Sequence, residues 1–350
     1  MQKLHFRITS ISKHPGEVVT FSLEPLSERK PDFISGQFLS IILQTANKEL
    51  RRSYSICSSP YTNEPITIAV KRIENGEVSR KLFNDTREGD VLTTLEPNGI
   101  FTYEPIKNSK RTIFLFAAGV GITPLISMLK TILTAEDQSK VVLVYSNRSQ
   151  ASTLFFYELN KWQSNYSNRF DLIYLFSESQ NLIRARLNKI LIQEIISEHL
   201  IFEKSDALFY TCGPISYMDV CRLTLLGMGF GQWQIKRETF FISADDGDED
   251  DETENIPTDT NTYTVRIIYQ NRKTDVDIPY HKSILDIALE NKIDMPYSCR
   301  SGICGTCTAF CSQGNIRMDY NEVLTENDIE KGKILTCVGH PTVNGTEIWI

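Results

Sequence analysis

The sequence predicts three folded domains: an antiparallel β-barrel (residues 1–106), an α/β domain with a parallel sheet (107–243) and a small α+β domain (263–350). Short alternating runs separated by Gly, Pro and Asn predict the barrel. A strand, a glycine loop and a helical segment, followed by further strands and helices, predict the parallel sheet. Three closely spaced cysteines with a fourth further along predict that the last domain holds a metal centre.

Length and composition are those of a globular protein with room for several cores. The chain has 350 residues, of which 41% are hydrophobic and 23% charged. No apolar run is long enough to cross a membrane, and Met1–Lys3 leads into an alternating segment instead of a signal peptide. No basic stripe with interleaved aromatic residues indicates a nucleic-acid partner. We therefore expect a cytoplasmic protein without a membrane segment, in a compartment that also suits reduced thiols.

The first domain contains six predicted strands with turn residues between them. They are Leu4–Ile11, Val18–Leu23, Phe38–Leu43, Ser53–Ile56, Ile66–Arg72 and Val91–Leu95. Many short strands at close spacing are typical of an antiparallel barrel or sandwich.

Two motifs in this domain carry groups that a flavin dinucleotide requires. In Arg52-x-Tyr54-Ser55, the arginine guanidinium can form paired hydrogen bonds to a pyrophosphate, and the tyrosine ring can stack on the flavin ring. The serine hydroxyl can donate a hydrogen bond to a nitrogen of the flavin ring. Gly76-x-x-Ser79 opens a predicted helix, whose first N–H groups can bind phosphate. The Arg52-x-Tyr54-Ser55 motif alone is weak, because an ordinary strand with a charged edge would show the same residues.

The second domain begins with a strand–loop–helix unit. Residues 111–117 form an apolar strand, Ala118–Pro124 a glycine loop, and Leu125–Leu133 a helix. Pro124 stands where the dinucleotide fingerprint has its third glycine, so that fingerprint is incomplete. The alternating pattern continues with the strands Val141–Tyr145, Phe170–Phe176 and Ala207–Thr211 and the helix Ile215–Leu226. Ligands bind at the carboxyl ends of such strands, where Gly119–Thr123, Arg148 and Cys212–Pro214 fall.

Residues 244–262 carry nine acidic residues and no basic one, although the whole chain has a net charge of only −7. Such a segment cannot bury a core, so it predicts a disordered tether. Such a tether would suit a small domain that moves. The alternative interpretation is a charged spacer with no further role. After it, the strands Thr264–Tyr269 and Asp275–Ile278 precede a helix, Ser283–Glu290, that Ser283 caps together with Asp286, and Glu347–Ile350 forms a last strand.

The metal centre is predicted from Cys299, Cys304 and Cys307 in a C-x4-C-x2-C spacing, with Cys337 further on. This is the ligand pattern of a plant-type 2Fe–2S cluster. Structural zinc usually shows paired C-x2-C knuckles, and nothing marks the chain as a secreted disulfide protein. Cys311 lies off the pattern and is predicted to be a small buried side chain. The five histidines form no ligand pair, which excludes a Rieske centre.

Five motifs occur in the order seen in the ferredoxin–NADP reductase superfamily, which residues 1–243 resemble. They are Arg52-x-Tyr54-Ser55, Gly76-x-x-Ser79, Gly119-x-Gly121-x-x-Pro124, Cys212-Gly213-Pro214 and Glu238-Thr239-Phe240. Residues 263–350 resemble a plant-type ferredoxin domain, which implies a β-grasp-like fold. The domain order is similar to that of the reductase components of bacterial oxygenases, such as those of phenylacetyl-CoA epoxidase, ketosteroid hydroxylase and phthalate dioxygenase.

The resemblance implies roles for individual residues. Arg52 would hold the FAD pyrophosphate, Tyr54 would stack on the flavin, and Ser55 would approach its N5. Cys212 and Glu238 would complete the hydride-transfer site, although a buried strand-end cysteine and a surface carboxylate are the structural alternatives. Lys71 and Ser79 would flank the FAD phosphates, and Thr123 would lie near the flavin–nicotinamide junction. The other implied cofactor-binding residues are Val70, Gly76, Val78, Gly119, Gly121, Pro124, Arg148, Gly213 and Pro214.

We therefore expect an NAD(P)H-dependent reductase that passes electrons through FAD and a 2Fe–2S cluster to an oxygenase, hydroxylase or desaturase. The flavin alone can connect two-electron and one-electron chemistry here. The nicotinamide is open, but NADPH is favoured, because no acidic residue follows Val141–Tyr145 and Arg148 could pair with a 2′-phosphate. Two alternatives remain: a reductase of a separate ferredoxin or flavodoxin, and a redox sensor whose cluster state gates a partner.

Overall fold

The computed structural model describes residues 3–27, 30–45, 49–180, 185–240 and 260–350. The chain divides into two compact units, one ending at Phe240 and the other running from Phe241 to Ile350. The predicted acidic tether lies outside the described residues up to position 259.

The first unit opens with an antiparallel barrel. Its elements are β1 (Lys3–His14), β2 (Val18–Pro25), β3 (Phe38–Gln44), β4 (Glu49–Ser55), β5 (Ile66–Lys71), α1 (Glu77–Asn84) and β6 (Val91–Leu95). The strand order in the described residues is β4-β3-β6-β1-β2-β5. A β-bridge between Ile56, directly after β4, and Ile68 of β5 joins the first and last strands of this order and closes the barrel. Alternate residues of each strand, such as Phe6, Ile8 and Phe21, fill its interior.

The same unit continues with a parallel sheet covered by helices. Its elements are β7 (Thr112–Ala118), α2 (Ile122–Ala135), β8 (Lys140–Asn147), α3 (Phe156–Asn165), β9 (Phe170–Phe176), α4 (Lys189–His199), β10 (Ala207–Cys212), α5 (Ile215–Gly227) and β11 (Ile235–Glu238). The described strands run in the order β11-β10-β7-β8-β9, all parallel. Along β7, Ile113 and Leu115 pack with α2, whereas Phe114 and Phe116 pack with residues of α4 and α5. Helices therefore cover both faces, as a buried parallel sheet requires.

The second unit is a mixed sheet with a helix against it. Its elements are β12 (Thr262–Tyr269), β13 (Arg272–Pro279), α6 (Ile284–Glu290), β14 (Thr308–Gln313), β15 (Ile316–Met318), α7 (Glu326–Glu330), β16 (Lys333–Leu335), β17 (Gly339–Pro341) and β18 (Thr346–Trp349). The order is β13-β12-β18-β14-β16, with β12 and β18 parallel, and β15 pairs separately with β17. The Ser283 hydroxyl accepts from the Asp286 N–H and the Asp286 carboxylate accepts from the Ser283 N–H, so the predicted cap of α6 is confirmed.

This architecture confirms the predicted fold class of barrel, parallel α/β sheet and β-grasp-like domain. Cys311 differs from expectation: it lies half-exposed on β14, not buried, with its thiol donating to the Gln313 carbonyl. Among the described residues, no helix combines the length and the apolar character needed to span a membrane.

Candidate functional site

The barrel strand β4 presents the three side chains of the first motif at its end. Arg52 is exposed, and its guanidinium donates to the Arg51 carbonyl at 2.9 Å. Tyr54 is half-buried, and burial raises the pKa of its phenol, although the Arg52 charge opposes this. Ser55 is buried at the strand end. A cation, an aromatic face and a hydroxyl therefore follow one another within four residues.

The predicted phosphate-binding residues lie where β5 leads into α1. Lys71 is exposed at the end of β5. Gly76 is the N-cap of α1, and no side chain in the described residues caps this helix, which leaves its N-terminal N–H groups suited to an anion. The Ser79 hydroxyl accepts from the Ile73 N–H at 3.1 Å and donates to the Gly76 carbonyl at 3.3 Å, so it shapes the turn. Val70 and Val78 are buried in the barrel core, so only their main-chain atoms can meet a ligand.

The glycine loop after β7 packs directly on the loop after β10. A Cβ on Gly121 would collide with the Cys212 carbonyl, and one on Gly213 would lie 2.8 Å from the Ala118 Cβ. Gly119 has φ +53°, in the left-handed region that favours glycine. Because these positions carry no side chain, the two loops can pack closely together at the carboxyl ends of β7 and β10.

Two tyrosines that sequence reasoning missed hold this loop and the end of β7 that leads into it. Tyr145 donates its hydroxyl to the Gly119 carbonyl at 3.0 Å, and Tyr217 donates to the Ala117 carbonyl at 3.1 Å. Thr123, which is buried, donates to the Val120 carbonyl at 3.0 Å. A tyrosine at the end of an apolar strand is the only sequence signal for Tyr145, and it is equally typical of a core residue.

The remaining predicted nucleotide residues border the same edge. Pro124 is buried in the first turn of α2, and Pro214 is the N-cap residue of α5. Arg148 is exposed directly after β8. Since β10, β7 and β8 are neighbours in the sheet, these residues share its carboxyl edge.

The barrel and the sheet meet through Ser55, Glu238 and Cys212. Cys212 on β10 and Glu238 on β11 are register partners, and the Ser55 hydroxyl hydrogen bonds to the Glu238 carboxylate. Oε2 of Glu238 is enclosed and has no hydrogen-bond partner in the described part of the chain. Burial raises the pKa of Glu238 to about 8, with the Ser55 hydrogen bond opposing the shift. Burial, followed by the Glu238 charge, raises the pKa of the fully buried Cys212 thiol.

Glu238→Gln is expected to remove a pH dependence of stability. Because the folded protein keeps a proton on Glu238 that the unfolded chain loses, the free energy of unfolding falls as pH rises from about 4.5 to about 8. Wild type is therefore expected to lose on the order of 4 kcal/mol relative to the variant between pH 5 and pH 9. Thermal unfolding, monitored by flavin release, should show this as a midpoint difference that changes by roughly 10 °C. Exposed Glu203 gives the control Glu203→Gln, and equal pH slopes in all three proteins would contradict the expectation.

In the second unit, the four predicted cluster cysteines converge. The Sγ atoms of Cys307 and Cys337 lie 3.2 Å apart, and hydrogen bonds from Cys304 and Cys337 lower the pKa of Cys299. The Ser301 N–H donates to the Cys299 sulfur at 3.4 Å. Cys299 is partly exposed, whereas the other three are buried. All eight cysteines of the chain are described, and each is a free thiol.

The loop between the first three cysteines curls because several of its residues adopt positive φ. These angles are +59° at Arg300, +75° at Gly302 and +72° at Gly305. A Cβ on Gly302 would lie 2.6 Å from the Tyr320 carbonyl oxygen, so this position requires glycine. The loop therefore turns three thiols toward one centre.

These observations fit the implied cofactors. Four adjacent thiols and a donating amide suit a 2Fe–2S cluster, whose sulfurs accept such hydrogen bonds. The side chains of β4 and the uncapped start of α1 suit a flavin dinucleotide. The glycine edge and the unpartnered Oε2 of Glu238 suit a ligand between the barrel and the sheet.

Comparison with protein families gives three matches along the chain. Residues 6–103 match the oxidoreductase FAD-binding domain. Residues 115–222 match the oxidoreductase NAD-binding domain, and residues 267–342 match the 2Fe-2S iron-sulfur cluster binding domain.

Similar proteins align with this chain over most of their length. The chain is 32% identical to a component of the 1,2-phenylacetyl-CoA epoxidase of Escherichia coli, over 92% of this chain and 90% of that protein. It is 31% identical to the ferredoxin reductase component of 3-ketosteroid-9-alpha-monooxygenase of Rhodococcus rhodochrous, over 89% and 86% of the two chains. The solved structure of phthalate dioxygenase reductase superposes with a TM-score of 0.60 at 24% identity, over 99% of this chain and 97% of that one.

Proposed function

We propose that this chain, which belongs to the family of FAD-, NAD- and 2Fe–2S-binding oxidoreductases that includes these reductase components, passes its electrons to a separate oxygenase. The chain is an NAD(P)H oxidoreductase of this family. When bound, FAD accepts a hydride from NAD(P)H and releases its electrons singly through the 2Fe–2S cluster. The observation that carries the proposal is the presence of all three sites on one chain, with four cysteines placed to hold a one-electron carrier.

Each residue group has a distinct task in this scheme. Arg52 and the start of α1 bind the FAD phosphates, and Tyr54 covers the flavin ring. Ser55 and Glu238 form a hydrogen-bonded pair at the junction, where Glu238 can hold a proton at neutral pH. Gly121 and Gly213 admit the nicotinamide nucleotide close to the main chain. The four cysteines Cys299, Cys304, Cys307 and Cys337 hold the cluster.

The proposed acceptor is a terminal oxygenase, because the similar chains are named as components of an epoxidase and a monooxygenase. The test is NAD(P)H consumption by the purified protein, alone and with candidate oxygenases of the same organism. We expect turnover that rises with the matching oxygenase and that yields hydroxylated or epoxidised product. Negligible NAD(P)H turnover with cytochrome c would instead favour a redox sensor.

We propose that NADPH is preferred over NADH, on the basis of Arg148. Its exposed guanidinium follows β8 directly, and the sequence Ser146-Asn147-Arg148 supplies no carboxylate for a ribose 2′-hydroxyl. Arg148→Ala is therefore expected to lower kcat/KM for NADPH roughly tenfold, the loss of one charge-assisted contact, and to change that for NADH less than about twofold.

The measurement is steady-state turnover with both nucleotides in wild type, Arg148→Ala and the control Lys161→Ala, which removes an exposed cation on α3. An equal loss with NADH and NADPH would show that Arg148 does not select the 2′-phosphate.

A further inference from the structure

Helix α2 carries a polar stripe that is buried against the barrel. Ser127, Lys130 and Thr131 are only 0%, 4% and 0% exposed. Residues three and four apart share one face of a helix, so the three form a single stripe. The other residues of α2 are largely apolar and pack on the sheet. A buried lysine within such a helix requires a specific partner.

The two hydroxyls of the stripe bond to the barrel loop that follows β4. Ser127 donates to the Ser58 carbonyl at 2.7 Å. The Thr131 hydroxyl lies 2.6 Å from the Ser59 hydroxyl and also hydrogen bonds with that of Ser35. All of these residues are buried, so each hydrogen bond depends on the seating of α2 against the loop.

Lys130 forms the charged part of the stripe. Its ammonium lies 2.9 Å from Glu64 of the barrel loop and 2.7 Å from Glu158 of α3. The second oxygen of Glu64 accepts from the Ser59 N–H at 2.9 Å and from the Thr62 hydroxyl at 2.5 Å, so the barrel loop itself orients the carboxylate that pairs with Lys130. If α2 slid or rotated, the ammonium would be buried away from Glu64, which is costly. An apolar contact of the same area would resist such sliding less.

The stripe lies close in sequence to both proposed cofactor sites. Ser58 follows Ser55 by three residues, and Ser127 follows Thr123 by four, about 6 Å along the helix. A Cβ on Gly36 would collide with the Met128 side chain, so the barrel admits α2 at close range here. The seating of α2 therefore fixes where the glycine loop stands relative to the end of β4.

We propose that the polar stripe of α2 positions the nicotinamide site relative to the flavin site. The stripe consists of Ser127, Lys130 and Thr131, and Glu64 is the barrel partner of Lys130. This inference rests on the proposed placement of FAD at β4 and of the nicotinamide at residues 119–124. The stripe residues touch neither cofactor in this scheme; they act through α2 and its loop. Their expected influence is on the hydride-transfer step, since a misplacement of about 1 Å can cost roughly a hundredfold in rate.

The test compares Lys130→Met with Lys140→Met in the FAD-loaded protein. Lys140 is the matched control, because its side chain is 13% exposed and its ammonium pairs with Asp171 at 2.7 Å inside the parallel-sheet domain. Anaerobic stopped-flow at saturating NAD(P)H should show flavin reduction slowed roughly 10- to 100-fold in Lys130→Met and unchanged in Lys140→Met. The long-wavelength charge-transfer absorbance of the nicotinamide–flavin pair should weaken in Lys130→Met alone.

Hydrogen exchange of the apoprotein supplies a reading that needs no cofactor. Amides of residues 57–65 should exchange faster in Lys130→Met than in Lys140→Met. If Lys130→Met does not fold, Thr131→Val provides the same comparison with Thr134→Val, because Thr134 is exposed and its hydroxyl bonds within α2 in the part of the chain that the structure describes.

The outcomes distinguish a failure of the proposed function from a failure of the positioning role alone. A wild-type flavin that neither NADH nor NADPH reduces would overturn the function together with this inference. Normal reduction of the wild type with equal rates in Lys130→Met and Lys140→Met would overturn the positioning role alone. A lower midpoint of unfolding with an unchanged reduction rate would likewise overturn it, because it would show a purely structural stripe.

Discussion

Replacing Cys304 with alanine is expected to abolish NAD(P)H-driven reduction of the oxygenase, with a loss of at least about a hundredfold. The thiol is buried beside the other three predicted cluster cysteines, so its removal would leave the proposed 2Fe–2S cluster without one of its four thiolate ligands. NAD(P)H-driven reduction of ferricyanide by the flavin should persist, since the first unit ends at Phe240 and forms a compact body of its own. Iron content, visible absorption and the two activities together measure the effect.

Cys311→Ala is the matched control for this experiment. Cys311 lies four residues after Cys307, is half-exposed, and donates its thiol to the Gln313 carbonyl. The control should retain full iron and full activity with both acceptors. An iron-replete Cys304→Ala protein that still reduces the oxygenase would contradict the ligand assignment.

The double substitution Arg52→Ala with Tyr54→Ala is expected to yield protein without bound FAD. Loss of a charge-assisted contact weakens binding by about 1.5–3 kcal/mol. Loss of the aromatic face adds about 1 kcal/mol. The two together amount to roughly a hundredfold or more in the dissociation constant. Flavin absorbance per chain after purification and titration of the apoprotein with FAD measure the loss, and NAD(P)H turnover should fall with occupancy.

Arg7→Ala on the exposed side of β1 controls for the loss of an arginine from the barrel surface. Circular dichroism should be the same in all these proteins, because neither Arg52 nor Tyr54 belongs to the fully buried barrel core. A doubly substituted protein with full FAD and full turnover would refute the flavin site.

Local sequence patterns were sufficient to predict most of the elements that frame the site. The strands Phe170–Phe176 and Val91–Leu95 have the predicted bounds, because their apolar runs end at clear turn residues. The α6 cap follows from a side chain that bonds within three residues of itself. The helix α3 was harder to foresee, since it begins after Phe155 in the left-handed region at φ +59° and has no side-chain cap.

Contacts between distant residues were beyond the reach of such patterns. The pair Ser55 and Glu238 forms only because the end of β4 meets the end of β11. The buried state of Lys130 depends in the same way on Glu64 and Glu158 from other elements. No propensity or periodicity encodes a partner so far away in the chain, so these features required the folded structure.

The salt bridge of Lys130 to Glu64 bears on how such proteins can be recombined. A chimera that takes its barrel from one relative and its nucleotide domain from another would join a lysine from one parent to a loop from the other. If the donor loop lacked the carboxylate, Lys130 would keep Glu158 of its own domain but lose its partner across the seam. Crossover points for shuffling therefore belong where residues 57–65 travel with α2, so that both partners of the ion pair come from one parent.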